Sequence, residues 1–577
     1  MAEKVWVCDD EPSTRYPVWT RGNVGEVFIE AVSPLTWSTY GRLAWEPGWR
    51  EAFYEMGSFA PEDFRPSGQC EVCGCFGGYV YINMSVTRVM AVRVPGLTVE
   101  AMDRSLFGDA ADVPPYRPQP LDENAARTAA VTEWLQSLPR TDPRIATDDE
   151  RKRLHARFAP RSALSSRSDR QLLETFRALS LDGRRNFKRH VLNTYAGNVL
   201  ASMIAQTCQA VEAANLTATI TAGAGEIDSA GQSLDLWALS RTIAGSPALG
   251  AEFDAGIDGL LDRLAESTVP DARHFLERWN GFIERWGCIG PSVWEFRSPT
   301  YRTHPEIALR MLDKTRLAPD SAAPDVRTAD LRAARESAIG EMSNRLAANP
   351  QARDAFIAAA HAVGHYMAAR ESSKLNCTLV IDEARQSIRE LGQRLVARGH
   401  VAQWEHVLLV NNAEADAFLA DPASWAQTIA QRAARLEVLK AKDPPFVFEG
   451  EPPPLSAFKD RENAVPASTA NVAQLTGLGV SPGRHTGRAR LVTSLDLDTR
   501  LEPGEVIVAI TTDASWGPLF LAAGAIVVET GAMVSHAAIV ARELGIPAAV
   551  SVSGAMRRIP SGAMITVDGN SGVVIVH

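Results

Sequence analysis

The sequence predicts a multidomain α+β protein in which a largely helical region is followed by a compact C-terminal α/β domain. Residues 121–440 are rich in Ala, Leu, Arg and Glu and place apolar residues at helical spacing. Residues 471–577 instead alternate short β-type runs with Gly-rich turns. At about 100–200 residues per domain, the 577 residues are enough for several domains.

Residues 1–120 are the mixed α/β part of the first region, with Trp, Gly, Pro and strand-like runs at 25–31 and 78–86. The mainly helical part follows, and its clearest helix covers residues 377–395. The residues expected on the buried face of that helix are Ile381, Ala384, Ile388, Leu391 and Leu395.

Residues 441–470 contain six prolines and few periodic apolar positions. This composition predicts a linker that is semi-rigid where prolines cluster. We therefore expect it to separate residues 1–440 from the C-terminal domain at 471–577.

Short apolar runs between glycine-rich turns predict the strands of the C-terminal domain. They lie at 505–510, 524–529, 548–552 and 564–567. The segment from Asp568 to Gly572 predicts a hairpin turn that closes the domain.

Composition excludes several classes of partner. The formal net charge of -10 argues against a nucleic-acid partner, because a phosphate backbone requires basic patches. The sequence contains no run of about 18 apolar residues and begins without an apolar leader, so we expect no membrane partner. The odd number of cysteines, seven, predicts reduced thiols and a cytoplasmic location.

The most informative segment runs from Glu529 to Val550 and places His536 in the first turn of a predicted helix. Gly531 permits a tight turn, Ser535 is a good N-cap, and Gly545 and Pro547 end the helix. A helix N-terminus favours an anion, and a phosphoryl group on an imidazole nitrogen is such an anion. The alternative is a histidine that only caps the helix or packs in the core.

The same segment resembles the phosphohistidine domain of the phosphoenolpyruvate-utilising enzymes, whose pattern is close to T-G-G-x-x-S-H-A-A-I-V-A-R-E-x-G-I-P. Thr530, Gly531 and every specified residue from Ser535 to Pro547 match it, whereas the second glycine is Ala532. The family includes phosphoenolpyruvate synthase, pyruvate phosphate dikinase and rifampin phosphotransferase. The resemblance implies a swivelling domain in which His536 is the catalytic residue, with Thr530 and Ser535 as candidate phosphate-binding residues.

Upstream segments at 21–37, 275–299 and 367–409 resemble the acceptor-binding part of rifampin phosphotransferase, which implies that residues 1–440 bind the acceptor. The candidate phosphate- or substrate-binding cations are Arg21, Arg370 and Lys374. Glu371 would orient Arg370 or Lys374 through a local ion pair. The alternative for each of these residues is a solvated surface charge.

Two further groups of residues have weaker functional interpretations. His361 and His365 are four apart on one helix face, so either could be the base for the acceptor hydroxyl, or both could be structural. Cys70, Cys73 and Cys75 form C-x-x-C-x-C without an evident fourth ligand. We interpret these cysteines as ordinary thiols rather than as a metal or redox site, and we predict no resident metal.

The expectation of an aromatic acceptor depends on residues 286–296. Relatives often carry a polar pair after the glycine at the position of Gly287, whereas this chain has Cys288 and Ile289. A less polar acceptor pocket would follow if these side chains, with nearby Trp294 and Phe296, face it. The alternative is that they belong to the core.

The dikinases of this family also hold an ATP-grasp domain with a glycine-rich phosphate loop, which we do not find in residues 1–577. The chain therefore resembles the larger subunit of split systems such as phenylphosphate synthase and the hydroxyacetophenone dikinases of aromatic catabolism. The resemblance implies a dikinase-type phosphotransferase that receives its phosphoryl group from ATP, with Mg²⁺, through a separate ATP-grasp subunit. The alternatives are a phosphocarrier or regulatory protein that phosphorylates another protein and, less favoured, a phosphoenolpyruvate-dependent enzyme.

Overall fold

The computed structural model describes residues 5–66, 68–107, 113–158, 164–222, 228–318, 320, 323–461, 473–493, 501–512, 516–531 and 535–577, apart from the side chains of some helix residues. The chain forms two compact units. The first contains residues 1–196, 294–298 and 372–463, and the second contains 197–293, 299–371 and 464–577. The second unit thus combines part of the helical region with the C-terminal strands, which differs from the predicted division into 1–440 and 471–577.

Helices dominate the described chain. In chain order they are α1 (Val24–Val27), α2 (Pro34–Thr36), α3 (Glu46–Met56), α4 (Met84–Arg93), α5 (Val99–Phe107), α6 (Ala125–Ser137), α7 (Pro143–Phe158), α8 (Asp169–Ala210), α9 (Thr217–Thr221), α10 (Asp228–Ala244), α11 (Pro247–Asp254), α12 (Leu260–Glu266), α13 (Pro270–Trp286), α14 (Glu306–Thr315), α15 (Pro324–Arg345), α16 (Pro350–Ala397), α17 (Ala415–Ala420), α18 (Ala426–Lys440), α19 (Gly517–Phe520), α20 (His536–Leu544) and α21 (Ala555–Arg558). A π-helical segment, Trp37–Trp45, joins α2 to α3.

The strands of the described residues form three sheets. They are β1 (Val18–Thr20), β2 (Cys73–Phe76), β3 (Tyr79–Asn83), β4 (Lys442–Asp443), β5 (Val447–Glu449), β6 (Lys459–Asp460), β7 (Gln474–Thr476), β8 (Leu478–Ser481), β9 (Arg484–Val492), β10 (Val506–Ala509), β11 (Ala525–Val528), β12 (Ala548–Val550), β13 (Met564–Asp568) and β14 (Val573–Val576). The sheet orders are β2-β3-β1-β5, β4-β6 and β7-β14-β13-β9-β10-β11-β12-β8.

The first unit packs its small sheet and the C-terminal half of α16 around an aromatic core. Tyr40 lies between Phe176 and Phe296, with ring centroids 5.3 and 4.6 Å away. The helix predicted over 377–395 is confirmed as part of α16. The five residues expected on its buried face are all at most 1% exposed.

Two predictions for the first unit differ from the structure. Residues 25–31 were expected to be strand-like, but α1 ends at Val27 and coil follows, since no neighbouring strand pairs with this run. Residues 442–460 were expected to be linker but contain β4, β5 and β6, and β5 pairs with β1 in antiparallel register. Proline content alone could not show that pairing, because the partner strand is more than 400 residues away. Residues 462–470 of the predicted linker lie outside the described part.

The C-terminal strands form the large sheet of the second unit, and the predicted strands β10 to β13 are confirmed. β9, β10, β11 and β12 run parallel at its centre, which places the segments that follow them at one edge. The predicted turn after Asp568 joins β13 to β14 as a hairpin. We call residues 473–577 the sheet subdomain, and residues 197–293 with 299–371 the helical subdomain.

The predicted fold class, a largely helical region followed by an α/β domain, is confirmed by these elements. Over the described ranges, no helix combines the length and the apolar character needed to cross a membrane.

Candidate functional site

His536 is the first residue of α20, as the sequence predicted. The hydroxyl of Ser535 caps the helix by accepting the Ala538 amide at 3.4 Å. Gly545 ends it in the left-handed conformation, with φ of 62°. The imidazole of His536 lies outside the described part of the structure, but its backbone position at a helix N-terminus is the one that favours a bound anion.

The C-terminal edge of the parallel strands lies next to this helix. Thr530 follows β11, and its amide donates to the Ile510 carbonyl after β10 at 2.9 Å. Ser551 follows β12 with a positive φ of 54°, and its hydroxyl donates to the Gly531 carbonyl. Ligands of parallel α/β sheets bind at this edge, so the predicted phosphate-binding residue Thr530 is suitably placed.

Sequence reasoning missed Thr511 and Ser551 at the same edge. The Thr511 hydroxyl oxygen is buried and has no hydrogen-bond partner within the described ranges. Thr511 directly follows the predicted run 505–510, and Ser551 lies near the end of the predicted run 548–552, so the rule for parallel strand ends could have found them. They add hydroxyl groups to the edge where a phosphoryl group on His536 would be held.

The opposite end of α20 carries a buried cation. Arg542 is 3% exposed and donates from Nε to the Val480 carbonyl. Burial lowers the pKa of Arg542 to about 10, while nearby Glu543 raises it. The guanidinium therefore stays charged near neutral pH, which suits the negative end of the helix dipole.

Ile539 joins α20 to the helical subdomain. It is 4% exposed and packs with Ala368 of α16, and it is not part of the apolar core of the sheet subdomain. Its neighbours Ala538 and Val540 do belong to that core. The burial of Ile539 therefore comes from the helical subdomain.

Arg335 of α15 also contacts α16. Its guanidinium donates to the Ala360 carbonyl of α16 and interacts electrostatically with Glu543 of α20.

Arg370 and Glu371 form the ion pair that the sequence predicted. They are 8% and 4% exposed, and the Arg370 guanidinium contacts the Glu371 carboxylate. Buried charges of this kind are stable only when they are paired, so the pair fixes the guanidinium within this turn of α16. The ion pair is thus confirmed, and the substrate-binding roles of Arg370 and Glu371 stay predictions.

The other predicted cations lie in the first unit. Lys374 is half-buried on α16. Arg21 is buried and donates to the carbonyls of Phe28 and Val80, at 2.7 and 3.2 Å. Burial lowers the pKa of Arg21. These contacts hold a loop, and the phosphate-binding roles of Arg21 and Lys374 stay predictions.

The candidate bases lie on the other side of Ala368. His361 is exposed and His365 half-buried on α16. They precede Ala368 by seven and three residues, and their roles as bases stay predictions.

Cys70, Cys73 and Cys75 are buried thiols in the first unit. Burial raises the pKa of each, which disfavours the thiolate that a metal or redox site requires. Cys75 also lies 3.9 Å from Cys8, sulfur to sulfur. The described residues contain no group of three or more His, Cys, Asp or Glu that could hold a metal ion.

The residues on which an aromatic acceptor was predicted are core side chains. Trp286 and Cys288 are buried in the second unit, where the Trp286 indole donates to Asp235 at 2.8 Å. Trp294 and Phe296 lie in the first unit, where Trp294 packs on Trp45 at 5.8 Å. An open cavity of about 680 Å³ beside α6 contains none of the predicted site residues.

Two regions of the chain match known protein families. Residues 501–572 match the mobile domain of the PEP-utilising enzymes, and residues 189–371 match the fourth domain of rifampicin phosphotransferase. The chain thus contains two segments that are similar to domains of the PEP-utilising enzymes and of rifampicin phosphotransferase. The predicted resemblance is thereby confirmed, whereas the split-dikinase form stays a prediction.

Similar curated proteins agree with this assignment. An uncharacterised protein of Mycobacterium tuberculosis is 34% identical over 292 residues, covering 50% of this chain and 30% of the relative. The prodigiosin synthesizing transferase PigC of Serratia marcescens is 30% identical, covering 60% and 38%. A rifampicin phosphotransferase of Streptomyces sviceus is 29% identical, covering 56% and 37%. The match thus spans between 30% and 38% of each relative's length.

Proposed function

We propose that His536 accepts a phosphoryl group and transfers it to the hydroxyl of a small acceptor bound near Arg370 and Glu371. The observation that carries this proposal is the burial of Ile539 against Ala368. Ala368 lies two residues before Arg370, so this contact joins α20 to the part of α16 that carries the buried ion pair. The similarity to rifampicin phosphotransferases, which are named for phosphoryl transfer to a small molecule, supports the same reaction.

In the transfer step, the acceptor oxygen attacks phosphorus in line with the P–N bond of phosphohistidine. The P–O bond forms as the P–N bond breaks, and the bonding electrons return to the imidazole nitrogen. The hydroxyl proton leaves to a carboxylate or imidazole, for which Glu371 is our first candidate and His361 and His365 are alternatives. Arg370 would neutralise the equatorial oxygens, since phosphoryl transfer depends chiefly on positioning and charge.

We further propose that ATP is the phosphoryl donor and that a separate ATP-grasp subunit binds it. The β-phosphoryl group would pass to His536, leaving AMP and phosphate. Mg²⁺ would accompany the nucleotide at that subunit, because the described residues provide no carboxylate cluster for it. The matched family, which contains ATP-dependent phosphotransferases, supports ATP as the donor.

The acceptor class is proposed to be an aromatic hydroxyl compound, as in aromatic catabolism. This proposal now depends on the resemblance to split dikinases, since Trp286, Trp294 and Phe296 are occupied in cores. A direct comparison of aromatic and aliphatic hydroxyl compounds as acceptors tests it.

A single-turnover experiment tests the transfer step without the unidentified donor subunit. The full chain is phosphorylated on histidine with phosphoramidate, freed of reagent, and mixed with phenol, 4-hydroxyacetophenone or an aliphatic alcohol. We expect loss of acid-labile phosphate and formation of an aryl phosphate, with Glu371→Gln slowing the loss at least tenfold. Equal loss in buffer alone would contradict a small-molecule acceptor and favour transfer to a protein.

His536→Ala serves as the control for phosphoramidate labelling of the other ten histidines, since eleven are present in the chain. Only the label that this variant lacks is counted. If an aliphatic phosphate were the sole product, the proposed phosphotransferase activity would stand, but the proposed aromatic acceptor would be refuted.

A further inference from the structure

We propose that Ser551 is a positioning residue that holds the segment leading into His536 in place for phosphoryl transfer. The inference rests on the proposed function, in which His536 carries the phosphoryl group. Ser551 acts through Gly531 and through Ser535, the N-cap of α20, and makes no contact of its own with the reacting atoms.

Ser551 has a backbone conformation that a serine adopts only at an energetic cost. It directly follows β12 with φ of 54°, in the left-handed region, where a glycine would meet no steric penalty. Among the described residues, only three other non-glycine residues have a positive φ, namely Asn23, Glu212 and Ser292. Such residues persist where the surrounding structure enforces them, and they concentrate at functional sites.

The strain at Ser551 accompanies a change of face in the sheet. Val550 is buried in the core that contains α20, whereas Val552 is buried in the core that contains α21. Residues two apart in a regular strand lie on the same face, so the chain reverses its alternation at Ser551. Val550 pairs with Leu478, and the Val552 amide donates to the Val528 carbonyl at 3.1 Å, so the chain is fixed on both sides of the serine.

The side chain of Ser551 contacts the segment that precedes α20. Its hydroxyl donates to the Gly531 carbonyl. Gly531 is packed against both β12 and the start of α20, because an added Cβ would lie 3.1 Å from Val550 Cβ and 3.1 Å from Ser535 Oγ. The Ser535 hydroxyl in turn accepts the Ala538 amide at 3.4 Å. The strained serine is thus connected, through Gly531, to the residue that directly precedes His536.

The hydroxyl is the feature of Ser551 that a glycine could not supply. A glycine would relieve the backbone strain at this position, but the Gly531 carbonyl would lose the hydrogen bond from Ser551. The amides of a helix N-terminus stabilise a phosphoryl group only within hydrogen-bond reach, and misplacement by about 1 Å can slow a reaction about a hundredfold. The bond to Gly531 restrains the segment that sets this position.

Charging with radiolabelled phosphoramidate tests this role in the full chain without a donor subunit or an acceptor. An imidazole nitrogen attacks phosphorus, the P–N bond of phosphoramidate breaks, and ammonia leaves with the bonding electrons. The rate at which acid-labile label appears is measured, and the label found in His536→Ala is subtracted. Urea titration of the same variants reports their stability.

Ser551→Gly should slow charging about tenfold, comparable to the loss of one hydrogen bond, with a nearly unchanged urea midpoint because relief of strain offsets that loss. Ser551→Thr should do the opposite. It keeps the hydroxyl and most of the rate, but a β-branched residue with positive φ should lower the midpoint. A merely structural residue would not separate rate from stability in this way. Ser553→Ala, at an exposed serine nearby, is the matched control and should retain both parent values.

Ser551→Gly decides the question if Ser551→Thr does not fold. Charging of Ser551→Gly at the parent rate would overturn the positioning role. So would a folded Ser551→Thr that charges as slowly as Ser551→Gly, because the hydroxyl would then not be what maintains the rate. A parent protein without His536-dependent label would instead contradict the proposed function, so the two failures are distinguishable.

Discussion

Replacement of Ile539 by Ala should weaken docking of the sheet subdomain far more than it weakens the sheet subdomain itself. Ile539 is 4% exposed and obtains that burial from Ala368 rather than from the core around Val540. Removing three buried carbons at about 0.8 kcal/mol each gives about 2.4 kcal/mol. At about 1.4 kcal/mol per tenfold change, the docking equilibrium should fall about fiftyfold.

Ile546→Ala is the matched control. Ile546 is also buried, at 1% exposure, but it packs within the core of the sheet subdomain. The same chemical change there should lower the free energy of unfolding by about 2–5 kcal/mol and leave docking nearly unchanged.

Two measurements separate these outcomes. Hydrogen exchange followed by mass spectrometry reports protection of α20 and of residues 360–371, and stopped-flow mixing reports discharge of phosphohistidine. Ile539→Ala should lose mutual protection of the two helices and discharge more slowly, whereas Ile546→Ala should do neither. Equal effects of the two variants would refute the argument that Ile539 is a docking residue.

Three further predictions concern local structure. Ser535→Ala should lower the free energy of unfolding by about 1 kcal/mol in urea titration, because the Ala538 amide loses its cap, and an unchanged midpoint would contradict that role. Gly569→Ala should prevent normal folding, because the added Cβ would lie 1.9 Å from the Ser481 carbonyl oxygen. Gly281→Ala within α13 is the matched control, since its Cβ would meet nothing within 4 Å. It should stabilise the folded protein by about 0.5–1 kcal/mol in thermal melts. Burial raises the pKa of Asp9 to about 6, compared with about 3.9 in the unfolded chain. The protonated carboxyl therefore contributes its full stability below about pH 4, and this contribution is lost as the pH rises through about 6. The unfolding free energy of Asp9→Asn relative to the parent should therefore rise by about 3 kcal/mol from pH 4 to pH 7, and a constant difference would refute the raised pKa.

The parts of the fold that local sequence determines could be predicted. The two ends of α20 are set by nearby residues. Ser535 caps the start of the helix, and Gly545 and Pro547 end it. These signals act within a few residues of each end. The strands β10 and β11 are buried on both faces and appear in the sequence as continuous apolar runs.

Pairing between distant segments could not be predicted. β5 was hidden in a proline-rich stretch because its partner β1 is near the start of the chain. Similarly, Ile539 has the same local pattern as Val540, and only the structure shows that they pack on different subdomains. The grouping of residues 197–293 and 299–371 with the C-terminal strands depends on such contacts.

In the candidate site, too, features set by local sequence could be predicted and those set by distant contacts could not. The motif around His536 predicted its position at the start of α20, and the pairing of Arg370 with Glu371 followed from their adjacency. The roles of Thr511 and Ser551 require the parallel order of β10, β11 and β12, which no single segment specifies. The aromatic residues at 286–296 belong to two different cores, and sequence proximity alone suggested one pocket.

Labelling of His536 from ATP tests the central claim most directly. The full chain is incubated with ATP labelled on the β-phosphate, with and without an ATP-grasp protein, and the protein is assayed for acid-labile, base-stable label. The account predicts label only with the ATP-grasp protein and none in His536→Ala. Label that persists in His536→Ala, or no label under either condition, would contradict the account.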